Sequence, residues 1–314
     1  MLGSLTGGWP TERWGRRRTL LWIGALYFVS SVGSALANNA PVFMLMRFIG
    51  GVGVGVATIA SPLYVTEISP ARMRGRLTGL FQLNIVFGIL VALLSNALLG
   101  WLVPADVAWR WMLAVMALPS VAYVFFCLGI PESPRWLIGQ GQNAAGIAVF
   151  RDVNPDLSDD AISSLAEAVE AALAAEAVPQ GQSAPPFCRQ ELRRPISLAC
   201  CVAFFNQLSG INAVLYFAPR IFEWAGLARD AALLSSVGIG IANLVATLIG
   251  LRLIDAVGRR TLLFVGGTGY ILTLGGCAWA FAVERFVFVP WLIFGFVGAH
   301  AMGQGESVVF RLSL

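Results

Sequence analysis

Residues 77–102 read LTGLFQLNIVFGILVALLSNALLGWL. This apolar block is longer than the roughly 20 residues that an α-helix needs to cross about 30 Å of hydrocarbon. Comparable blocks lie at about 19–38, 41–65, 109–130, 196–219, 231–251, 261–283 and 287–310, and residues 1–9 look like the tail of a further helix. The core of a water-soluble domain rarely needs several such blocks in succession. Composition agrees, with 57% of the 314 residues hydrophobic, 12% charged and a mean hydropathy of +0.75. A soluble domain carries about twice that charged fraction. The chain therefore reads as an all-α polytopic membrane protein, with the lipid bilayer as its solvent.

The charges then give an orientation. All 21 basic residues are arginine. Fifteen fall in four alternate loops, around Arg13 to Arg18, Arg72 to Arg76, Arg135 to Arg194 and Arg252 to Arg260. The opposite loops hold only Arg110, Arg220, Arg229 and Arg285. The positive-inside bias places the richer set in the cytoplasm of a multi-pass cell-membrane protein. The arginines form no single patch with interleaved aromatics, which argues against nucleic acid as a partner. The five cysteines show no metal spacing and no disulfide framework, so no metal and no cofactor is expected.

One long polar segment, about 132–194, interrupts the apolar blocks. Its Ala/Glu run to Ala177 predicts a helix capped by Asp159 or Asp160. The expected organisation is a partial N-terminal membrane half over 1–131, a cytoplasmic helical linker over 132–194 and a partial C-terminal half over 195–314. A short internal repeat supports two related halves. Glu12-Arg13-Trp14-Gly15-Arg16-Arg17 and Asp255-Ala256-Val257-Gly258-Arg259-Arg260 share an acid, a glycine and an arginine pair just before a span. Parallel repeats of helix groups are how many secondary transporters are built.

Some polar residues stand inside the blocks. Arg47 precedes Gly51, Gly53 and Gly55 within one span. A guanidinium in hydrocarbon should face a partner or a watery cavity, unless it snorkels to the membrane edge near Pro41. The glycines suit close approach of another helix. Glu67, at a span end seven residues before Arg74, fits a charged latch whose partners differ between two states. No metal cluster, nucleophile triad or phosphate loop appears in the water-facing segments, so an enzyme is not expected.

The stretch Pro62-x-Tyr64-x-x-Glu67-x-x-Pro70-x-x-x-Arg74-Gly75 resembles the signature of the sugar porters of the major facilitator superfamily. Pro131-Glu132-Ser133-Pro134-Arg135-Trp136-Leu137 resembles another, and Asn206-Gln207-Leu208-Ser209-Gly210-Ile211-Asn212 is similar to the family's seventh-helix motif. The resemblance implies a two-half helix bundle that moves a monosaccharide by alternating access, with symport left open and a proton as the second partner if it operates. It also implies that Gln82, Asn206, Gln207, Asn212, Tyr216 and Asn243 bind the sugar. Amides suit that task, since they donate and accept hydrogen bonds without charge. The latch residues would be Glu12, Arg16, Arg17, Glu67, Arg74, Glu132, Arg135, Asp255, Arg259 and Arg260, and Arg47 the coupling residue.

Counted against twelve helices, the resemblance implies an incomplete bundle of about eight full spans. The first helix is absent, the second a stub, and the eleventh and twelfth are missing. The acid that proton-coupled relatives place in the first helix, opposite the arginine matching Arg47, is absent with it. Val309 stands where a sugar-stacking tryptophan is expected. His300, the single histidine, is assigned packing or hydrogen bonding rather than a proton relay. The alternatives are a carrier of a cyclitol or other polyhydroxylated solute, and a truncated fragment that transports nothing.

Overall fold

A computed structural model describes residues 2–70, 73–176 and 208–312, with 197, 200, 201 and 204. The side chains of 74–76, 78, 176, 229–230, 254–256, 259 and 304–312 lie outside that description. The described residues contain helices and connecting turns and no strand. Seven helices are long and apolar enough to cross a membrane: Arg16–Leu36, Ala40–Ile68, Gly79–Leu102, Ala108–Gly129, Ala231–Leu253, Arg260–Ala282 and Phe286–Gly303. They match seven of the eight expected blocks, and the eighth, 196–219, lies partly outside the described residues. Many large apolar side chains on these helices are exposed, among them Phe125, Phe126, Ile271 and Trp291. In hydrocarbon such side chains carry no hydration penalty, which is how this composition is stable.

The chain forms two compact units, residues 1–78 with 105–184 and residues 79–104 with 185–314. The first contains α1 (Leu2–Thr6), α2 (Gly8–Trp14), α3 (Arg16–Leu36) and α4 (Ala40–Ile68), and the opening turn of α5 (Arg74–Leu102). It continues with α6 (Ala108–Ala114), α7 (Ala117–Gly129), α8 (Pro134–Gly139), α9 (Asn143–Val153) and α10 (Asp159–Glu176). Helix α3 packs against α4 and against α6 and α7, around a core of Leu20, Ile23, Val56, Ala60, Tyr64 and Cys127. Helix α4 starts at an Asn39 cap, whose side chain accepts a hydrogen bond from the Val42 amide, and stops before Pro70.

The linker has its own small core of Ile138, Phe150, Ile162 and Ala166, drawn from α8, α9 and α10. Its long helix is capped by Ser158, not by Asp159 or Asp160 as expected. The Ser158 hydroxyl accepts from the Ala161 amide, and both aspartates sit in the first turn. There they complement the helix dipole without serving as the cap.

The second unit contains α5 from Gly79 onward, α11 (Ile211–Trp224), α12 (Arg229–Val257), α13 (Arg259–Ala282) and α14 (Val289–Leu312). Helix α14 packs on both α12 and α13, and the core gathers Ile211, Phe222, Ile239, Val289, Ile293, Phe296 and Val297. Leu90 and Leu93 of α5 pack over Gly240 of α12. Compactness thus groups α5 with the later helices, a different partition from chain order.

The Gly-Arg-Arg repeat reappears in the backbone. Gly15 has φ 91° and ψ 164°, Gly258 has φ 85° and ψ 149°, and each is the residue before an Arg-Arg helix start. That region of the map is essentially open to glycine alone. Two loops far apart in sequence therefore need glycine for the same local reason.

Candidate functional site

A cavity of about 120 Å³ lies within the second unit. Helix α5 lines it with Gln82, Ile85, Val86 and Ile89, a spacing that puts all four on one helical face. Ile211, Asn212 and Leu215 come from α11, Asn243 and Thr247 from α12, and His300 and Ala301 from α14. Helix α11 begins there because Gly210, at φ 79° and ψ 10°, breaks the chain direction just before Ile211. Asn243 and Thr247 stand one helical turn apart and are buried, as is His300. The lining is therefore apolar, with uncharged polar groups converging from four helices. No aspartate, glutamate or arginine is among the lining residues.

Of the expected solute-binding residues, the structure brings Gln82, Asn212 and Asn243 together around this cavity. Tyr216 does not line it and is 80% exposed. Asn206 and Gln207 lie outside the described residues. Sequence reasoning passed over Thr247. Its position four residues after Asn243 was the available signal, since such residues share a helix face.

The first unit holds a second polar constellation, where α2, α3, α4, α7 and α8 end. Glu67 at the end of α4 receives a bidentate pair from Arg16, with Nε donating to Oε2 and Nη2 to Oε1, both at 2.8 Å. The Ser133 hydroxyl donates to the same Oε2 at 2.6 Å. Glu132 sits against the N-terminus of α3, where its Oε1 accepts from the backbone amides of Arg16 at 2.9 Å and Arg17 at 3.0 Å. A carboxylate is favoured there by the unpaired amides and the helix dipole. Arg17 reaches the other way, donating to the carbonyls of Cys127 and Leu128 in the last turn of α7. The start of α3 and the end of α7 are thus capped at one junction, by Glu132 and Arg17 respectively. The Tyr64 hydroxyl donates to the Pro131 carbonyl at 2.8 Å, tying α4 to the same junction.

The remaining expected latch residues are more scattered. Glu12 has an exposed side chain and takes part through its carbonyl, which accepts from Trp136 Nε1 at 2.7 Å. Arg135 is half-buried in the first turn of α8. Arg260 is exposed, with its guanidinium 5.9 Å from the Phe264 ring. The side chains of Arg74, Asp255 and Arg259 lie outside the described residues. Arg47 is exposed on α4 and has no ion-pair partner among the described residues.

Gly15 packs against Glu132 at this junction, and its replacement is a direct test. A Cβ there would fall 2.5 Å from Glu132 Oε2, whereas a Cβ at Gly258 meets nothing within 4 Å. Both positions carry the backbone penalty of about 1–3 kcal/mol for a non-glycine residue. Gly15→Ala is expected to destabilise more than Gly258→Ala, because it also displaces the carboxylate from α3. Denaturant titrations of both variants in detergent micelles would check the order, and equal losses would contradict it.

A membrane-embedded helix bundle with an uncharged polar cavity and arginine-rich helix ends is the architecture of a small-solute transporter. The chain belongs to the family described as sugar (and other) transporter, whose family model matches residues 1–313. It is 30% identical to the arabinose-proton symporter of Bacillus subtilis over 100% of this chain and 68% of that protein. It is 32% identical to the major myo-inositol transporter IolT of Bacillus subtilis over 88% of this chain and 58% of that protein. Its structure resembles the partially occluded inward-open conformation of the xylose transporter XylE from E. coli, with a TM-score of 0.86 at 27% identity, covering 100% of this chain and 71% of that one. The chain thus spans between about half and two thirds of the curated relatives it matches. It is a multi-pass membrane protein of the major facilitator type.

Proposed function

We propose that the protein carries a monosaccharide across the cell membrane by alternating access. The observation that carries this reading is the cavity in which Gln82, Asn212 and Asn243, from three separate helices, surround one volume with uncharged amides. A sugar offers a ring of hydroxyls, each both donor and acceptor, and amides answer both functions. Apolar side chains such as Ile85 and Leu215 suit its C–H faces. A charged solute would meet no compensating charge among the lining residues, and its desolvation would oppose entry. Sugar-proton symport in a relative supports a proton as the second partner.

The helix-end constellation is assigned the latch role in this cycle. Arg16, Arg17, Glu67 and Glu132, with Glu12, Arg74, Arg135, Asp255, Arg259 and Arg260, would hold the cytoplasmic ends of the helices in one of two states. The linker is placed on the cytoplasmic side by the arginine asymmetry. Arg47 is assigned to coupling, since an exposed guanidinium at that depth calls for a partner.

Radiolabelled D-xylose or D-glucose uptake into carrier-deficient cells tests the proposal. Saturable uptake that a protonophore abolishes is the expected result. Normal surface expression without saturable uptake of any monosaccharide or polyol would sink it. The same assay examines the site. Asn243→Ala is expected to raise the half-saturation concentration about three- to tenfold, the equivalent of one lost neutral hydrogen bond, with expression unchanged. The likeness to a myo-inositol transporter favours a cyclitol as the second reading. Competition by myo-inositol against labelled sugar separates the two.

A further inference from the structure

The span Ala108–Gly129 is not one continuous helix. It is interrupted at Val115 and Met116, between α6 and α7, where Pro119 has no amide to give the Val115 carbonyl. The Leu118 amide donates to that carbonyl instead, at 3.1 Å, in a tighter turn than an α-helix makes. Such breaks are where helices kink, and within a membrane neighbouring helices have to support them. Both pieces lie along α3, which runs unbroken from Arg16 to Leu36. The Ser31 hydroxyl of α3 donates to the Leu113 carbonyl of α6 at 2.6 Å. Nearer the cytoplasmic end, a Cβ at Gly24 would fall 2.5 Å from Val124 Cγ2 and 2.9 Å from Tyr123 Cδ1, so α7 lies directly on α3.

The ends of the two spans are fastened reciprocally. Arg110, in the first turn of α6, donates from Nη1 to the carbonyls of Ala35 at 2.8 Å and Ala37 at 2.9 Å, and from Nη2 to Asn38 Oδ1 at 3.4 Å. Arg17, in the first turn of α3, serves the carbonyls of Cys127 and Leu128 at the end of α7 in the same way. The last carbonyls of a helix have no partner inside it, and Ala35 and Ala37 are buried away from water. A cation in the first turn opposes the dipole of its own helix but suits the C-terminus of a neighbour. Each arginine therefore stands where its own helix disfavours it and the other span needs it. The Arg110 guanidinium also lies 4.5 Å over the Trp109 ring, whose centroid is 6.2 Å from that of Phe43 on α4.

We propose that Arg110 is a positioning residue for the transport cycle. It fastens α6 to α3, so that the broken span moves with α3 as one strut. The outer end of that strut then follows the junction at which Glu132 holds the start of α3. The proposal rests on the transport reading given above. The cavity lining includes no residue of α3, α6 or α7, so Arg110 acts on the rate of the conformational step and not on solute affinity.

Hydrogen exchange of the full chain in lipid nanodiscs tests the fastening, and uptake of labelled D-xylose or D-glucose into carrier-deficient cells tests the role. In Arg110→Gln, the amides of α6, of residues 115–118 and of the last turn of α3 are expected to exchange about tenfold faster or more, while the first turn of α3 keeps its protection. Maximal uptake per folded carrier falls severalfold, and the half-saturation concentration stays within about twofold of wild type. Arg110→Lys keeps donors for both carbonyls and should restore most of both readouts. Ser31→Ala loosens the same segment to a smaller extent, and it keeps the test decisive if Arg110→Gln fails to fold. Unchanged exchange across 108–118 in both variants overturns the fastening, as does a rise spread evenly over the whole unit. Faster local exchange with unchanged maximal uptake leaves a structural cap alone and overturns the positioning role. Wild-type chain that takes up no monosaccharide or polyol overturns the transport reading and that role with it, and the exchange measurement still decides the fastening.

Discussion

Replacing Arg16 with alanine is expected to cost about 3–5 kcal/mol of stability, the loss associated with removing one partner of a buried ion pair. The side chains of Arg16 and Glu67 are 10% and 6% exposed, and the pairing is bidentate at 2.8 Å. Without the guanidinium, Glu67 keeps the Ser133 hydroxyl as its described side-chain partner, too little to compensate a buried carboxylate. Glu67→Ala should be costly for the mirror-image reason, since among the described residues the guanidinium then retains a long contact to the Thr11 carbonyl at 3.4 Å. The double variant Arg16→Met with Glu67→Leu should recover much of the loss, because two apolar groups of similar size remove both uncompensated charges. Denaturant titrations of the three variants in micelles check this cycle. Losses that simply add would show that the pair is not coupled in the way its geometry requires.

The same cycle bears on function. A pair that is merely stabilising could be replaced by the apolar double variant without consequence for transport. A latch could not, because its value lies in breaking and re-forming as the helices move. Uptake by the double variant, measured beside its stability, therefore separates the two roles. Near-normal stability with altered turnover identifies a latch.

The membrane spans were legible because the signal is thermodynamic and local. A block such as 77–102 has no water-soluble alternative, and its helix is dictated by the need to pair every backbone group internally. The Gly-Arg-Arg repeat was legible for a related reason. Gly15 and Gly258 occupy backbone conformations that other residues strain to adopt. The Gln82, Asn212 and Asn243 assignments came from family resemblance, and no periodicity in the sequence could have converged them. Their meeting depends on how α5, α11 and α12 pack, a property of the tertiary structure.

What escaped the sequence has physical reasons. Thr247 looked like an ordinary membrane-helix threonine, whose hydroxyl commonly bonds its own preceding turn. Family resemblance marked Glu132 and Arg17 as latch residues, not as caps. Their work as caps exists only because the start of α3 and the end of α7 arrive at the same junction. Ser158 escaped because Asp159 and Asp160 beside it are equally good caps, and composition does not choose among three adjacent candidates. The grouping of α5 with the later helices was hidden for the opposite reason. Chain order suggests a division at the linker, while Leu90 over Gly240 and Leu251 over Gly79 join distant parts of the sequence.

The glycine run behind Arg47 gives the second large expectation, that Gly55→Leu will destabilise the first unit by about 3 kcal/mol, the upper end of overpacking losses. A Cβ at Gly55 would stand 2.6 Å from the Ser4 amide nitrogen and 2.8 Å from Gly3 backbone atoms. Backbone atoms have no rotamer into which they can retreat, so a larger residue must push α1 away from α4. Gly51 is the internal control, since it is exposed and a Cβ there meets nothing within 4 Å. Gly51→Ala is expected to be neutral or to stabilise by about 0.5–1 kcal/mol, because alanine gives up less conformational entropy in a helix. The two positions lie one helical turn apart on α4, Gly55 buried against the backbone of α1 and Gly51 exposed. Deleting residues 1–7 should abolish the Gly55→Leu penalty while leaving the Gly51→Ala result unchanged. Should the penalty persist in the shortened chain, the close approach of α1 would not be its cause. The spacing of the glycines would then have to serve α3, whose Leu26 and Tyr27 would stand 3.4 Å and 3.5 Å from a Cβ at Gly53.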